Sequence, residues 1–451
     1  MTDTFFQVST TLAQGVLLLV DGILRGVHFA GSALDSGCKA LGGRRRDSAV
    51  DKRKKVVIVG ASFAGLWSQR NLCNDFDVTV VDFKEYFEYT PGVLRAFVEP
   101  GHFKRISGAI PRRRNKFLCG EAIGLTADRR SLRVLSTTNQ QETEVPFDYL
   151  LIGTGSTYAG AVKAGRKERE MKSRSLTWKA EAERLAAARS VLIIGGGPVG
   201  VELAGEILSK FPGKEVTITD RSKELCSSFR PSTKRYVTEW LRKRGCRLAL
   251  GVPIDGKYPD LMIDEKGCRL TTGERLQADK VYRCMGLMPA TKWLKGSLPD
   301  AAFDNQGFLR VNHHLQVEGF KNVFAMGDCM IHKPSSELKL GHTAEVNAHL
   351  VVENLRRLES KQSKALLTYP TGVVHARRTP LIYCISLGKH SASLGFNWLV
   401  VNGLLAAIFK WMLEYTKVLA CSESPVGIAF WKLADFMSLL IARTLIKTPD
   451  A

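Results

Sequence analysis

Two short turns in this chain have the residue types and spacing to hold a phosphate. Gly60-Ala61-Ser62-Phe63-Ala64-Gly65 and Gly195-Gly196-Gly197-Pro198-Val199-Gly200 each carry glycine at the first and last of six positions. In such a turn the first glycine allows a tight bend, the middle position lets the backbone approach a pyrophosphate, and the last lets helix and strand pack closely. The phosphate charge then rests on the helix N-terminus. The first turn has Ser62 at its middle position, where a hydroxyl offers one more donor. Asp82 follows Gly60 by 22 residues and Asp220 follows Gly195 by 25, each closing a β-branched run (VTVVD, EVTITD). Acids so placed accept adenosine ribose hydroxyls. At Asp220 the charge favours NADH, because a 2′-phosphate would be repelled, and the adjacent Arg221 is what would admit NADPH. Three more apolar runs end in glycine: YLLIGTGS with Gly155, KVYRCMGLMP with Gly286, and NVFAMGDC with Asp328.

These turns need strands before them and helices after them. KKVVIV and SVLII read as buried parallel strands, and the segments after each glycine turn carry a helical pattern. The expected fold is therefore α/β: two Rossmann-like dinucleotide-binding domains and a smaller C-terminal domain with apolar and amphipathic segments. The expected boundaries are an apolar extension and basic linker over 1–53, a first nucleotide domain over 54–160 that resumes over 298–368, a second over 161–297, and a membrane- or acceptor-facing domain over 369–451.

Bulk properties narrow the partners. The 65 Lys+Arg against 44 Asp+Glu give a formal charge of +21, a surface suited to anionic lipid headgroups, nucleic acid or phosphate-bearing cofactors. The ten cysteines are scattered with no C-x-x-C pair, so neither a zinc site nor a disulfide framework is expected, and no metal. The N-terminal apolar stretch is interrupted by Asp21 and Arg25 and backed by GGRRR and KRKK. It reads as an interfacial amphipathic helix with an electrostatic assist, or as a cleaved presequence. Gly395–Leu413 is almost wholly apolar and Val426–Lys447 amphipathic, which suits contact with lipid or with an apolar substrate, or equally a core helix covering a sheet. Glu202 falls in the first turn of the helix after Gly200, where it either faces the reacting groups or offsets the helix dipole.

Both fingerprints, the GTGS strand and the late Met-Gly-Asp resemble the flavoprotein superfamily with two dinucleotide-binding folds. LRVNHHLQVEGFKNVFAMGDC and GVLRAFVEPGHFKR are similar, more closely, to the apoptosis-inducing-factor-like, ferroptosis-suppressor group of NAD(P)H:ubiquinone oxidoreductases, relatives of type II NADH dehydrogenases. The similarity runs from about Lys54 to Lys432. It implies FAD in the first fold, held by Gly60–Gly65, Asp82, Arg95, Ala122, Gly155 and Asp328. It places NADH, or NADPH, in the second, held by Gly195, Gly197, Gly200, Asp220 and Gly286. Residue 2 is Thr where mammalian members carry a myristoylatable glycine, so the apolar extension is expected to replace the lipid.

Disulfide reductases of the superfamily keep a cysteine pair soon after the first fingerprint, whereas here Cys73 stands alone. Electrons are therefore expected to pass directly to an external acceptor, a quinone, at a membrane on the mitochondrial or cytoplasmic face of an organelle. No catalytic residue is fixed; Glu202 and the helix residues His342 and His349 in GHTAEVNAHLVVENL are the candidates. Two other functions stay open: a nucleic-acid-binding effector using Arg112–Arg114, and a reductase of an iron–sulfur carrier.

Overall fold

The computed structural model describes residues 53–111, 116–158, 160–257, 260–335 and 337–444. The N-terminal extension up to Lys52 and the Arg112–Arg114 run lie outside the described residues.

The described residues open with β1 (Lys55–Val59), α1 (Phe63–Leu72) and β2 (Asp77–Asp82). Then come β3 (Lys116–Leu125), β4 (Ser131–Ser136), β5 (Glu142–Pro146) and β6 (Tyr149–Ile152). Consecutive residues of β1 and β6 are buried on both faces: Val56, Val57 and Ile58, and Leu150, Leu151 and Ile152. This is the sign of parallel strands covered on both sides.

A second unit follows. It has β7 (Ser190–Ile194), α2 (Pro198–Lys210), β8 (Glu215–Asp220), α3 (Pro231–Arg242), β9 (Arg247–Leu250) and β10 (Lys280–Arg283). Its sheet has the order β9-β8-β7-β10, parallel throughout. The strand β11 (Val323–Ala325) then returns to the first sheet, whose order is β11-β6-β1-β2-β3-β4-β5. The first fold thus draws strands from both sides of the second. In each sheet the glycine turn leaves a central strand, β1 or β7, at its C-terminal end, where open α/β sheets bind ligands.

The helix α4 (Gly341–Leu358) follows β11. The chain then forms an antiparallel meander of β12 (Ile382–Ser386), β13 (Ala392–Phe396) and β14 (Leu399–Gly403), and the described residues close with α5 (Leu404–Cys421) and α6 (Pro425–Thr444). The apolar run Gly395–Leu413 is therefore not one segment. Asn397 (φ 51°) turns the hairpin and Gly403 (φ 93°) ends the second strand, so the helix begins only at Leu404. No described helix is long and apolar enough to cross a membrane.

Candidate functional site

The first cradle is closed by glycine geometry. Gly60 has φ +105°, and a Cβ on Gly65 would lie 1.8 Å from the Gly60 carbonyl oxygen. Asp82 holds the turn in place: its Oδ2 accepts from the Ala61 N–H at 2.7 Å and its Oδ1 from the Lys84 N–H at 2.9 Å. Ser62 caps α1 without a side-chain bond to it, and Ala64 packs inside. Beneath the turn Thr154 Oγ1 is buried with no partner among the described residues. Gly155 (φ +70°) continues into Ser156, whose hydroxyl donates to Asp328 Oδ2 at 2.6 Å. Lys163 Nζ reaches Ser156 Oγ at 2.6 Å and Asp328 Oδ2 at 3.4 Å. Burial lowers the Lys163 ammonium, with Asp328 opposing. A tight glycine turn at a helix N-terminus, an uncommitted Ser62 hydroxyl and an orphaned Thr154 hydroxyl fit the diphosphate and polyol chain of FAD.

Two residues expected at FAD have other commitments. Arg95 donates through Nε and Nη2 to the Glu206 carboxylate of α2 and through Nη2 to the Gly388 carbonyl. These bonds use Nε and Nη2, and the guanidinium carries further N–H donors on Nη1. Ala122 is buried at a bulge in β3, three residues past Cys119, the register partner of Asp82.

The second cradle repeats the first. Gly195 has φ +115°, and a Cβ on Gly200 would lie 1.9 Å from the Gly195 carbonyl oxygen. Asp220 takes the Gly196 N–H at 2.6 Å and the Ser222 N–H at 2.7 Å. A Cβ on Gly197 meets nothing within 4 Å, so the middle of this turn is open to a pyrophosphate. Past β10, Gly286 (φ +77°) turns the chain so that Met288–Pro289 pair with Ser156–Thr157, and the Ala290 N–H donates to the Gly155 carbonyl at 3.0 Å. That ladder ties the Gly286 turn of one cradle to the Gly155–Asp328 edge of the other.

Glu202 lies in the second turn of α2, one turn later than its expected place, and it is buried. It is no exposed dipole acid. Its Oε1 accepts from Lys410 Nζ at 2.7 Å and from the Ser386 N–H at 2.8 Å. Burial pushes the Glu202 carboxyl above its ordinary range, Lys410 opposing. Burial alone would lower Lys410, but the facing carboxylates hold its ammonium above its usual value.

His342 and His349 both line a cavity of about 330 Å³ between α1, α4, α5 and α6, beside Phe63, Trp67, Lys417 and Trp431. The His349 ring lies 5.2 Å from the Trp67 ring. His342 Nε2 is buried with no partner among the described residues. Burial, aided by Lys417, pushes His342 down to about 4, and burial lowers His349 as well. Both rings are therefore neutral near pH 7 and are not imidazolium acids there.

Sequence reasoning missed Lys163, Lys410, Lys417 and Glu345. Their one signal was charge inside an apolar or helical run, since a lysine among apolar residues needs a buried partner. Among the described residues no group of His, Cys, Asp and Glu could hold a metal. None of the nine described cysteines forms a disulfide.

Known proteins share this arrangement. Residues 54–348 match the pyridine nucleotide-disulphide oxidoreductase family. Ferroptosis suppressor protein 1 of Taeniopygia guttata is 29% identical over 374 residues, 80% of this chain and 94% of that protein. Apoptosis-inducing factor homolog A of Dictyostelium discoideum is 28% identical over 367 residues, 77% of this chain and 86% of that one. Two solved structures share the fold. NDH2 from Plasmodium falciparum in complex with NADH has a TM-score of 0.65 at 14% identity, covering 87% of this chain and 99% of its own. The sulfide:quinone oxidoreductase of Aquifex aeolicus has a TM-score of 0.68 at 18% identity, covering 87% and 95%.

Proposed function

The chain belongs to the pyridine nucleotide-disulphide oxidoreductase family and is an FAD-dependent NAD(P)H oxidoreductase; we propose that it hands its electrons to a quinone at a membrane surface. The observation that carries this reading is the cavity at Phe63, His342 and Trp431. It starts at the first fingerprint and the N-terminus of α4, is walled by aromatic rings, and is closed by the two C-terminal helices. An apolar redox acceptor needs such a cleft. The resemblance to ferroptosis suppressor proteins, and to a structure named for quinone reduction, points the same way.

FAD, when bound, supplies the two-electron exchange between NAD(P)H and the acceptor. The protein's part is to bind and orient. Gly60–Gly65 and Asp82 hold the adenosine diphosphate of FAD, and Gly155 and Asp328 hold its polyol chain. Ala122 contacts FAD through its backbone, and Arg95 clamps the diphosphate while tied to Glu206. Gly195, Gly197, Gly200, Asp220 and Gly286 hold the nicotinamide nucleotide, with NADH preferred because Asp220 repels a 2′-phosphate. The Glu202–Lys410 pair fixes α2 against α5, and so the second cradle against the acceptor cavity.

The purified protein is expected to show flavin absorbance that NADH bleaches and a short-chain benzoquinone restores. Flavin that NADH bleaches but only an iron–sulfur carrier restores would replace the quinone reading with the carrier-reductase one. Protein without flavin would overturn the assignment itself.

Contact with lipid rests on the outer faces of the same helices. Trp398 at the hairpin tip is 59% exposed, and Leu404, Leu405 and Phe409 of α5 continue the apolar surface. On α6, Leu433 and Phe436 are 59% and 62% exposed, beside Met437 and Leu440. Such a face, on a chain of charge +21, suits an anionic bilayer surface. Replacing Leu405 and Leu433 together by glutamate is expected to cut sedimentation with anionic vesicles at least tenfold while NADH oxidation persists. Unchanged sedimentation, or tighter retention on duplex DNA than on vesicles at moderate salt, would favour the nucleic-acid reading.

A further inference from the structure

Reducing a quinone with NADH consumes a proton: quinone + NADH + H⁺ gives quinol + NAD⁺. The cavity must therefore contain a group that holds a proton at neutral pH and can release it to the acceptor's oxygen. Its lining offers few. His342 and His349 are held below their usual range by burial, so neither carries the extra proton. Arg70 on α1 donates to the Ala420 carbonyl at 2.5 Å, and a guanidinium keeps its proton in any case. Burial raises the Cys421 thiol on α5. Lys432 on α6 is exposed at the rim.

Lys417 remains. It sits on α5 with its side chain 6% exposed, in contact with the Glu345 carboxylate of α4. Its Nζ stands 4.1 Å from the Trp431 ring and 5.5 Å from the Phe63 ring. It therefore joins the first fingerprint, α4 and α6 at one cation inside the cavity. We propose that Lys417 is the proton donor to the acceptor, with Glu345 holding its ammonium in place. The proposal rests on the quinone reading above.

In the step an N–H bond of Lys417 breaks and an O–H bond forms on the acceptor oxygen, while NADH supplies both electrons and the other hydrogen. The neutral amine then takes a proton from water at the cavity mouth. Burial pushes the Lys417 ammonium down to about 8, with Arg70 adding and with Cys421 and Asp435 opposing. That brings it near the pH at which a general acid works best. Asp435 on α6, itself raised by burial, faces the amine from the other side.

The test uses the full-length FAD-loaded protein and a short-chain benzoquinone, with two readouts. One is quenching of tryptophan fluorescence by oxidised quinone without NADH, since Trp67 and Trp431 line the cavity. The other is the pH profile of kcat. The wild type is expected to quench saturably and to lose kcat as pH rises through about 8, because the donor must be protonated. Lys417→Arg keeps the charge beside Glu345 but cannot donate. It should bind quinone within about threefold of wild type, lose kcat by about a hundredfold, and lack the alkaline fall. The charge-neutral double variant Glu345→Gln/Lys417→Met, with folding confirmed by circular dichroism, should show the same kcat loss. Wild-type kcat with the alkaline fall intact in Lys417→Arg would overturn the role of Lys417 and leave the quinone site standing. Absence of both quenching and quinone reduction in the wild type would overturn the two together.

Discussion

Gly65→Ala is expected to yield protein that folds but is purified without flavin, while Gly200→Ala retains flavin that NADH no longer bleaches. The two substitutions add the same methyl group to the same place in two cradles. A Cβ at residue 65 would lie 1.8 Å from the Gly60 carbonyl oxygen, and one at residue 200 would lie 1.9 Å from that of Gly195. These are backbone atoms, so no side chain can swing aside. The helix must back away from the turn, carrying with it the N–H groups that face the phosphate. Overpacking of this kind costs about 1–3 kcal/mol, or about ten- to a hundredfold in affinity where the displaced groups are the ligand's own. Absorbance near the flavin band reads the first loss, and bleaching by NADH reads the second. The opposite assignment, with Gly200→Ala losing flavin and Gly65→Ala keeping it, would exchange the roles of the two folds.

How far the sequence discloses this site depends on whether a function is carried locally. Each fingerprint is a local object, because six residues fix the turn and the strand end some twenty residues on supplies the acid. The register bears this out, with Asp82 and Asp220 each accepting the N–H of the residue after the first glycine. The link between cradles is not local. Thr157 meets Met288 across more than a hundred residues, with only a glycine in each turn to hint at it. The C-terminal segment was the least legible. Its apolar run suggests a single buried or lipid-facing stretch, yet Gly403 divides it and sends a helix across β13. Lys410 interrupts that run and Lys417 follows its end by four residues. Both are buried and paired with carboxylates of α2 and α4. Periodicity cannot reveal a partner some two hundred residues away.

The buried pair Glu202–Lys410 carries the second large prediction. Lys410→Met leaves the Glu202 carboxylate with the Ser386 N–H and no counter-ion. Stranding one partner of a buried pair costs about 3–5 kcal/mol, because the remaining charge keeps its desolvation penalty. The loss should depend on pH in a definite direction. With its cation gone, the Glu202 carboxyl lies still further above its unfolded value, so the folded state binds more protons than the unfolded one. Stability is then retained below the unfolded carboxyl range near 4.3 and falls by about 1.4 kcal/mol per pH unit above it, until the folded group ionises. Urea unfolding at pH 5 and pH 8 measures the difference, with the larger deficit expected at pH 8. Removing both charges, in Glu202→Gln/Lys410→Met, should restore most of the stability, since an apolar or neutral pair suits the interior at least as well as an ionic one. Turnover with quinone should stay depressed about tenfold or more in that double variant. The ion pair sets the angle between α2 and α5, and misplacement of about 1 Å between reacting groups is enough for such a loss. A double variant with wild-type turnover would show that the pair serves stability alone, and that the second cradle and the acceptor cavity are aligned by the Thr157–Met288 ladder without it.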